Sequence, residues 1–219
     1  MKYLNQLDHP DIPYPTDAAT EGSRFHDLSI KEAGCGLCSL AMMVDRLTTK
    51  TISLKRLIAL SLKHKANLHP GTDMKILGPV VADLYDLDFS TTNSVKKAMQ
   101  HLKNGGSVIA NVGGDREGYT GVFSHGGHYV LLLSAGKDSI CVLDPSLKEG
   151  KYEEPGREGK VRLDAPFAYC SPELMEKETI GEADMQEVYR LRRIQGYLEG
   201  QAGQLEQLTV RNGSSQYEK

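Results

Sequence analysis

Two cysteines lie three residues apart in the segment GCGLCSLAMM, which spans residues 34–43. Glycines flank Cys35 on both sides, and an apolar stretch continues beyond Cys38. This spacing suits half of a zinc site, a redox dithiol, a catalytic nucleophile with an unrelated neighbour, or two small core residues. Because the ten residues fit all four possibilities, the rest of the chain has to distinguish among them.

Cys35 is predicted to open a helix, because the apolar positions from Leu37 to Leu47 recur at helical spacing. Unpaired backbone N–H groups and the positive end of the helix dipole favour a thiolate there, which lowers the pKa of the thiol below its free value of about 8.5. The flanking glycines permit a sharp turn and leave room for a substrate carbonyl beside the sulfur. Cys35 is therefore the candidate nucleophile, and Cys38, nearly one turn later, is predicted to face the core.

A histidine and an aspartate mark the ends of two later apolar runs. His128 opens the strand-like run HYVLLLSA after two glycines, and Asp144 closes the run SICVLD. Strands of this length joined by the short AGKD turn pair as a hairpin, which brings the start of the first opposite the end of the second. We therefore predict that His128 and Asp144 are adjacent, so that nucleophile, base and orienting carboxylate form the arrangement of covalent acyl transfer. His125, in a glycine-rich loop, is a competing base.

Each of these residues also has a structural interpretation. His128 could be a hydrogen-bonded residue at a strand end, and Asp144 before a proline could be a turn former. A zinc site would need two ligands besides the CxxC pair, and the remaining candidates are Cys141, Cys170 and the histidines of the segment 64–69. A thioredoxin-like dithiol would follow a strand, which the residues before Gly34 do not resemble.

Four segments resemble papain-like cysteine peptidases, in the branch that includes the bacteriocin-processing, double-glycine leader peptidases. GCGLCSLAMM resembles the nucleophile segment of that family, GGHYVLLL resembles its catalytic-histidine strand, and VLDPS resembles the Asp-Pro that follows. The upstream LNQLDHP resembles an extended arm whose glutamine donates a hydrogen bond to the oxyanion. The resemblance therefore implies this role for Gln6.

The order Gln6, Cys35, His128 and Asp144 is also the order of the family's functional residues, and the resemblance spans roughly residues 3 to 150. It implies a papain-like fold with a helical lobe packed on an antiparallel sheet and a cleft between them. The chain departs from the family at residues 37 and 38, where Leu and Cys replace a small or Pro-Thr pair.

Hydrophobic periodicity predicts the elements that must position these residues. Beyond the first helix, we predict helices that begin near Ser53, Thr72 and Asn93, and a further helix over residues 183–198. The family resemblance places the segment around Thr72 near the substrate. Short apolar runs between residues 107 and 164 predict strands and hairpins. Because the predicted helices come first and the antiparallel strands follow, the order favours an α+β fold. We predict one domain over residues 1–200 and a flexible polar tail over 201–219.

Composition indicates a soluble globular protein. The 219 residues are 39% hydrophobic and 25% charged, with a formal net charge of -3. There is neither a basic stripe for a nucleic acid nor a polybasic membrane patch. The N-terminal residues lack the apolar core of a signal peptide, and no apolar run is long enough to cross a bilayer. Four cysteines in a chain of this size do not suggest a disulfide framework, so we expect a cytoplasmic protein with free thiols.

These observations favour a cysteine-dependent hydrolase that cleaves a peptide or amide bond through a thioester, without a metal or organic cofactor. The expected partner is a peptide or amide substrate. We expect no binding to a nucleic acid or to a membrane. An acyl transferase or amide ligase of the same fold and a non-catalytic peptide-binding domain remain alternatives, as does a zinc or redox protein that uses the CxxC pair. The sequence carries no signal for substrate side chains or oligomeric state.

Overall fold

A computed structural model describes residues 1–16, 28–68, 71–179 and 191–196. In this part of the chain, four α-helices come first and most of the strands follow. The α-helices are Ile30–Ala33 (α1), Cys35–Leu47 (α2), Leu54–Lys63 (α3), Met74–Leu84 (α4), Val95–Lys103 (α5) and Pro172–Glu178 (α6). The strands are Leu87–Thr92 (β1), Ser107–Val112 (β2), His128–Ala135 (β3), Ile140–Leu143 (β4), Arg162–Asp164 (β5), Phe167–Cys170 (β6) and Leu191–Gly196 (β7). Within the described ranges, no helix has the length and apolar character needed to cross a bilayer.

The strands form one antiparallel sheet in the order β1-β7-β2-β3-β4-β6-β5. β3 lies at its centre and pairs with β2 on one side and with β4 on the other. Its residues 130–133 are all buried, as expected of a strand that is covered on both faces. Mixed helix and antiparallel sheet make this an α+β protein, as predicted.

Helices cover both faces of the sheet. On one face, α2 packs against β3 in a buried cluster that includes Leu40 and Leu131. On the other face, α5 packs against β3 in a second cluster that includes Leu102 and Val130. Because successive side chains of a strand point to opposite faces, β3 contributes alternately to the two cores. The helices therefore do not form a single lobe on one side of the sheet.

The predicted helix starts are nearly correct. Ser53 caps α3 as predicted, but Asp73 rather than Thr72 caps α4, and Ser94 rather than Asn93 caps α5. In each case a side-chain oxygen of the residue immediately before the helix accepts a backbone N–H of the first turn. The predictions at Thr72 and Asn93 were wrong by one residue, because neighbouring polar residues compete for the same position.

The chain leaves its helical pattern at two places. The helix that begins near Thr72 ends at Leu84, because Asp86 adopts a left-handed conformation (φ 55°) and β1 follows. The helix predicted over residues 183–198 is wrong at Leu191–Gly196, which form β7 between β1 and β2. Hydrogen bonds to two neighbouring strands there outweigh the local helical periodicity. The rest of that segment and the predicted tail over 201–219 lie outside the described residues.

The loop between β2 and β3, which leads to His128, contains two glycines with left-handed backbones. Gly114 has φ +82°, and a Cβ there would lie 2.5 Å from the backbone oxygen of Gly126. Gly118 has φ +70°, but a Cβ there would meet no atom within 4 Å. The two positions therefore share a backbone conformation and differ in their surroundings.

Gly118→Ala is expected to lower the free energy of unfolding by about 1–2 kcal/mol, the cost of a left-handed alanine. Gly114→Ala should cost clearly more, because the loop must also move to relieve a contact between backbone atoms. Urea denaturation of the two variants measures the difference. Equal losses would show that the loop before His128 is not held in the observed conformation.

Candidate active site

The hairpin formed by β3 and β4 brings His128 and Asp144 together. Leu131 pairs with Leu143, so the first residue of β3 lies close to the residue that follows β4. His128 Nε2 and Asp144 Oδ1 are 2.9 Å apart, and both side chains are buried. The predicted proximity of these residues is therefore confirmed, and its cause is the register of the hairpin.

Four further hydrogen bonds hold the Asp144 carboxylate. Oδ1 accepts the backbone N–H and the hydroxyl of Ser146 at 2.8 and 3.1 Å, and Oδ2 accepts from Lys151 Nζ at 2.5 Å and the Tyr152 hydroxyl at 2.8 Å. Burial alone would raise the pKa of Asp144, but the hydrogen bond and charge of His128 and the charge of Lys151 hold it well below its usual range. Asp144 is therefore a stable anion.

Cys35 is the first residue of α2, as predicted, and is partly exposed. The groups that favour its thiolate are the His128 ring and the backbone N–H groups of Tyr129 and Gly36. Burial raises the pKa of the Cys35 thiol, but the hydrogen bond and positive charge of His128 outweigh burial and lower it below the ordinary value. The Cys35 thiol therefore ionises at a lower pH than an ordinary cysteine.

The imidazole of His128 lies between the thiol and the carboxylate. Because Nε2 faces Asp144, Nδ1 is the ring nitrogen left for Cys35. Burial lowers the pKa of His128, but the hydrogen bonds and negative charges of Asp144 and Cys35 raise it to about 9. The opposite shifts of the thiol and the imidazole favour a thiolate–imidazolium pair, which is an anionic nucleophile beside a proton donor.

Gln6 lies in a short 3₁₀ turn, Gln6–Asp8, and is buried. Its backbone N–H donates to the Pro145 carbonyl at 2.6 Å, and its side-chain Nε2 donates to the Lys31 carbonyl at 2.7 Å. The arm is thus tied to the residue after Asp144 and to α1, which ends shortly before Cys35. The bond to Lys31 uses one of the two N–H groups of the amide. The oxyanion role of Gln6 stays a prediction.

The segment before α4 borders the nucleophile. A Cβ built on Gly36 would lie 3.2 Å from Thr72 Cβ and 3.0 Å from Met74 Cε, so there is little room for a side chain at that position. The Thr72 hydroxyl is 2.7 Å from the hydroxyl of Tyr14 in the N-terminal arm. This contact occupies the hydroxyl of Thr72, the residue predicted to cap α4. The short distance to Gly36 places Thr72 beside the first turn of α2, which begins at Cys35.

His125, the competing base, has both ring nitrogens next to carboxylates. Nδ1 is 2.8 Å from Asp115 Oδ2, and Nε2 is 3.3 Å from Glu154 Oε2. The ring is largely exposed and joins the loop before β3 to the loop after β4. His128, and not His125, is therefore the histidine that contacts Cys35.

The two cysteines of the CxxC segment have different environments. Cys38 is completely buried in the core under α2, as predicted, and burial raises its pKa to about 12. All four cysteines are free thiols. Within the described ranges, no group of three or more His, Cys, Asp or Glu side chains could hold a metal ion. His64 ends α3 on the surface, and His69 lies outside the described residues.

Several residues that surround Asp144 have no signal in the sequence that predicts their role. Ser146, Lys151 and Tyr152 donate to its carboxylate, and the Tyr3 hydroxyl donates to its backbone carbonyl at 2.6 Å. Polar residues in irregular segments have no periodicity that would single them out. The nearest available signal was their position, since three of them follow Asp144 within eight residues.

No family model matches the chain, and no curated protein matches it in sequence. Fold alone does not define function, since one architecture supports many chemistries. The site formed by Cys35, His128 and Asp144 is therefore the basis for any functional conclusion.

Cys35 is expected to react rapidly with iodoacetamide at pH about 6, where an ordinary cysteine is mostly protonated. The pKa of Cys35 is lowered and that of His128 is raised to about 9, so the ion pair exists between these two values. Below the pKa of Cys35 the ion pair is lost because the thiolate is protonated. Above the pKa of His128, about 9, it is lost because the imidazolium is deprotonated. Mass spectrometry of the labelled positions across this range measures the profile.

His128→Ala should abolish the rapid labelling, because it removes the positive charge beside the sulfur. The internal controls are the buried thiols Cys38 and Cys170, whose pKa values burial raises to about 12. Equal, slow labelling of all cysteines at pH about 6 would contradict the ion pair.

Proposed function

We propose that this protein is a cysteine-dependent hydrolase that cleaves a peptide or amide bond through a thioester intermediate, on a papain-like variant of the α+β fold. The observation that carries the proposal is the hydrogen-bonded series Cys35, His128 and Asp144, with the thiol at the start of a helix. This arrangement matches the order of nucleophile, general base and orienting residue in covalent acyl transfer.

In the acylation step, the Cys35 thiolate attacks the carbonyl carbon of the substrate. A C–S bond forms, and the electron pair of the carbonyl moves to its oxygen. The backbone N–H of Cys35, at the start of α2, and the free N–H of the Gln6 amide stabilise that oxyanion. His128 then donates its Nδ1 proton to the substrate nitrogen, the C–N bond breaks, and an amine leaves from a thioester.

In the deacylation step, His128 acts as the base. Its unprotonated Nδ1 accepts a proton from a water molecule, whose oxygen attacks the thioester carbon. The C–S bond breaks, a carboxylic acid leaves, and the proton held by His128 restores the pair with Cys35. The Asp144 carboxylate accepts the Nε2 hydrogen in both steps, so the ring keeps the tautomer and orientation that present Nδ1 to the sulfur.

A search for cleavage uses the full chain with a diverse mixture of synthetic peptides, read by mass spectrometry of the new termini. Cys35→Ala and His128→Ala are expected to lower the cleavage rate by about 10³-fold or more, because each removes a member of a cooperative unit. Folding of both variants is checked by circular dichroism. Cleavage that survives in Cys35→Ala would overturn the proposal.

The same experiment separates hydrolysis from acyl transfer. With an added primary amine, a hydrolase gives mainly the free carboxylic acid, whereas a transferase or ligase gives the amide. An exclusive amide product would assign the site to acyl transfer, and a rapidly labelled Cys35 without any turnover would assign it to peptide binding.

Gln6→Ala is expected to lower kcat by about 10²–10³-fold, which is typical of the loss of one oxyanion donor. The rate of iodoacetamide labelling of Cys35 should change little, because alkylation forms no oxyanion. Measurement of both rates on the same preparation therefore tests the assigned role.

Asn5→Ala is the matched control for Gln6. The Asn5 side chain also anchors the arm, through a bond from its Nδ2 to the Leu147 carbonyl at 2.7 Å. If Gln6→Ala lowered kcat only by loosening the arm, Asn5→Ala would lower kcat equally. That result would show that the oxyanion role is wrong.

A further inference from the structure

Lys151 is a buried lysine on the far side of Asp144 from the catalytic histidine. We propose that Lys151 is a positioning residue that balances the charge of Asp144, so that the buried site can hold a thiolate and an imidazolium at the same time. This inference rests on the proposed function, because it concerns the ionised state of the nucleophile.

The surroundings of Lys151 are those of a fully satisfied ammonium group. Its Nζ lies 2.5 Å from Asp144 Oδ2, 2.7 Å from the Ser146 hydroxyl and 3.3 Å from the Ser146 carbonyl. An ammonium has three N–H donors, and three acceptors surround it here. The residue is only 4% exposed, so water cannot replace these partners. Burial lowers the pKa of Lys151, and the charge of Asp144 opposes that shift.

Charge counting explains why a cation is needed at this place. From Cys35 inward, the series reads Cys35 negative, His128 positive, Asp144 negative and Lys151 positive, with a net charge of zero. Without the last member, the buried series would carry a net negative charge, which is costly away from water. Protonation of the Cys35 thiolate would remove that charge, but it would also remove the nucleophile.

The other charged groups near Lys151 are already paired. Arg157 NH1 lies 2.7 Å from Glu154 Oε2, and Lys148 Nζ lies 2.8 Å from Glu154 Oε1. Both cations therefore contact the one carboxylate of Glu154 and not that of Asp144. Lys151 is the cation that contacts Asp144 in addition to His128.

The tyrosines around Asp144 do not contribute charge. Tyr152 donates its hydroxyl to the carboxylate, and Tyr3 donates to the backbone carbonyl. Burial, together with the negative charge of Asp144, raises the pKa of both phenols well above the ordinary value. Both stay neutral donors at the pH values at which the thiolate–imidazolium pair exists.

Ser146 provides a direct physical link between Lys151 and the histidine. Its hydroxyl oxygen lies 2.7 Å from Lys151 Nζ and 3.1 Å from His128 Nε2. Loss of the lysine therefore changes both the charge of the site and the hydrogen bonding of the Asp144–Ser146 turn. A test has to separate these two effects.

The test measures the rate of iodoacetamide labelling of Cys35 against pH in the full chain and in Lys151→Met, which has a similar length and no charge. We expect the pH at which the thiolate forms to rise by about one unit or more, so that the rate at pH about 6 falls at least tenfold. Urea denaturation checks that the variant is folded. A folded Lys151→Met with an unchanged labelling profile would overturn the inference.

Lys151→Arg separates charge from structure. It keeps a positive charge beside Asp144 but replaces a compact ammonium with a planar guanidinium, so it changes the hydrogen bonding of the Asp144–Ser146 turn. If the charge is what matters, folded Lys151→Arg keeps the rapid labelling at pH about 6 that Lys151→Met loses. If Lys151 were only a structural support, Lys151→Arg would lose the rapid labelling as Lys151→Met does, and that result would overturn the inference.

Failure of the inference and failure of the proposed function give different results. Slow labelling of Cys35 in the unmodified chain would overturn both, because there would be no thiolate to stabilise. Rapid labelling in the unmodified chain, with equally rapid labelling in Lys151→Met, would overturn only the role of Lys151.

Discussion

The buried carboxylate of Asp144 is the constraint on which the rest of the site depends. A charge without water costs several kcal/mol unless it is paired and hydrogen-bonded. The donors to the Asp144 carboxylate come from the start of β3, from the turn directly after β4 and from the segment that carries Lys151 and Tyr152. The N-terminal arm reaches the backbone carbonyl of Asp144 through Tyr3. These separate parts of the chain must all be in place before Asp144 can be buried as an anion, so the site forms with the fold.

The sheet and α2 place the proposed nucleophile, Cys35, on the other side of His128 from this anion. β3 is the central strand, and α2 packs across one of its faces. Cys35 begins the helix, His128 begins the strand, and the two side chains interact, so both starts lie at the same end. Gly36 lets the first turn approach Thr72 and Met74 closely, because a Cβ there would lie 3.2 Å from Thr72 Cβ and 3.0 Å from Met74 Cε. The position of Cys35 therefore follows from close packing of α2, while its ionisation follows from contact with His128.

Covering both faces of the sheet has a further consequence for the site. Residues 130–133 of β3 are buried alternately in the two cores, so the strand cannot shift by one residue without exchanging its two faces. The same register holds His128 beside Asp144. Packing far from the site thus supports the geometry on which the proposed chemistry depends, and precise positioning of reacting groups requires such support.

The sequence alone determined the elements whose information is local. It predicted the helix that begins at Cys35, the strands of the β3–β4 hairpin, and the proximity of His128 and Asp144 that follows from the register of a short hairpin. Only the tertiary structure decided that residues 191–196 form a strand between β1 and β2, and that Lys151 and Ser146 surround Asp144. The physical reason is that strand pairing and charge burial depend on contacts between residues distant in the chain or in irregular segments, for which periodicity carries no signal.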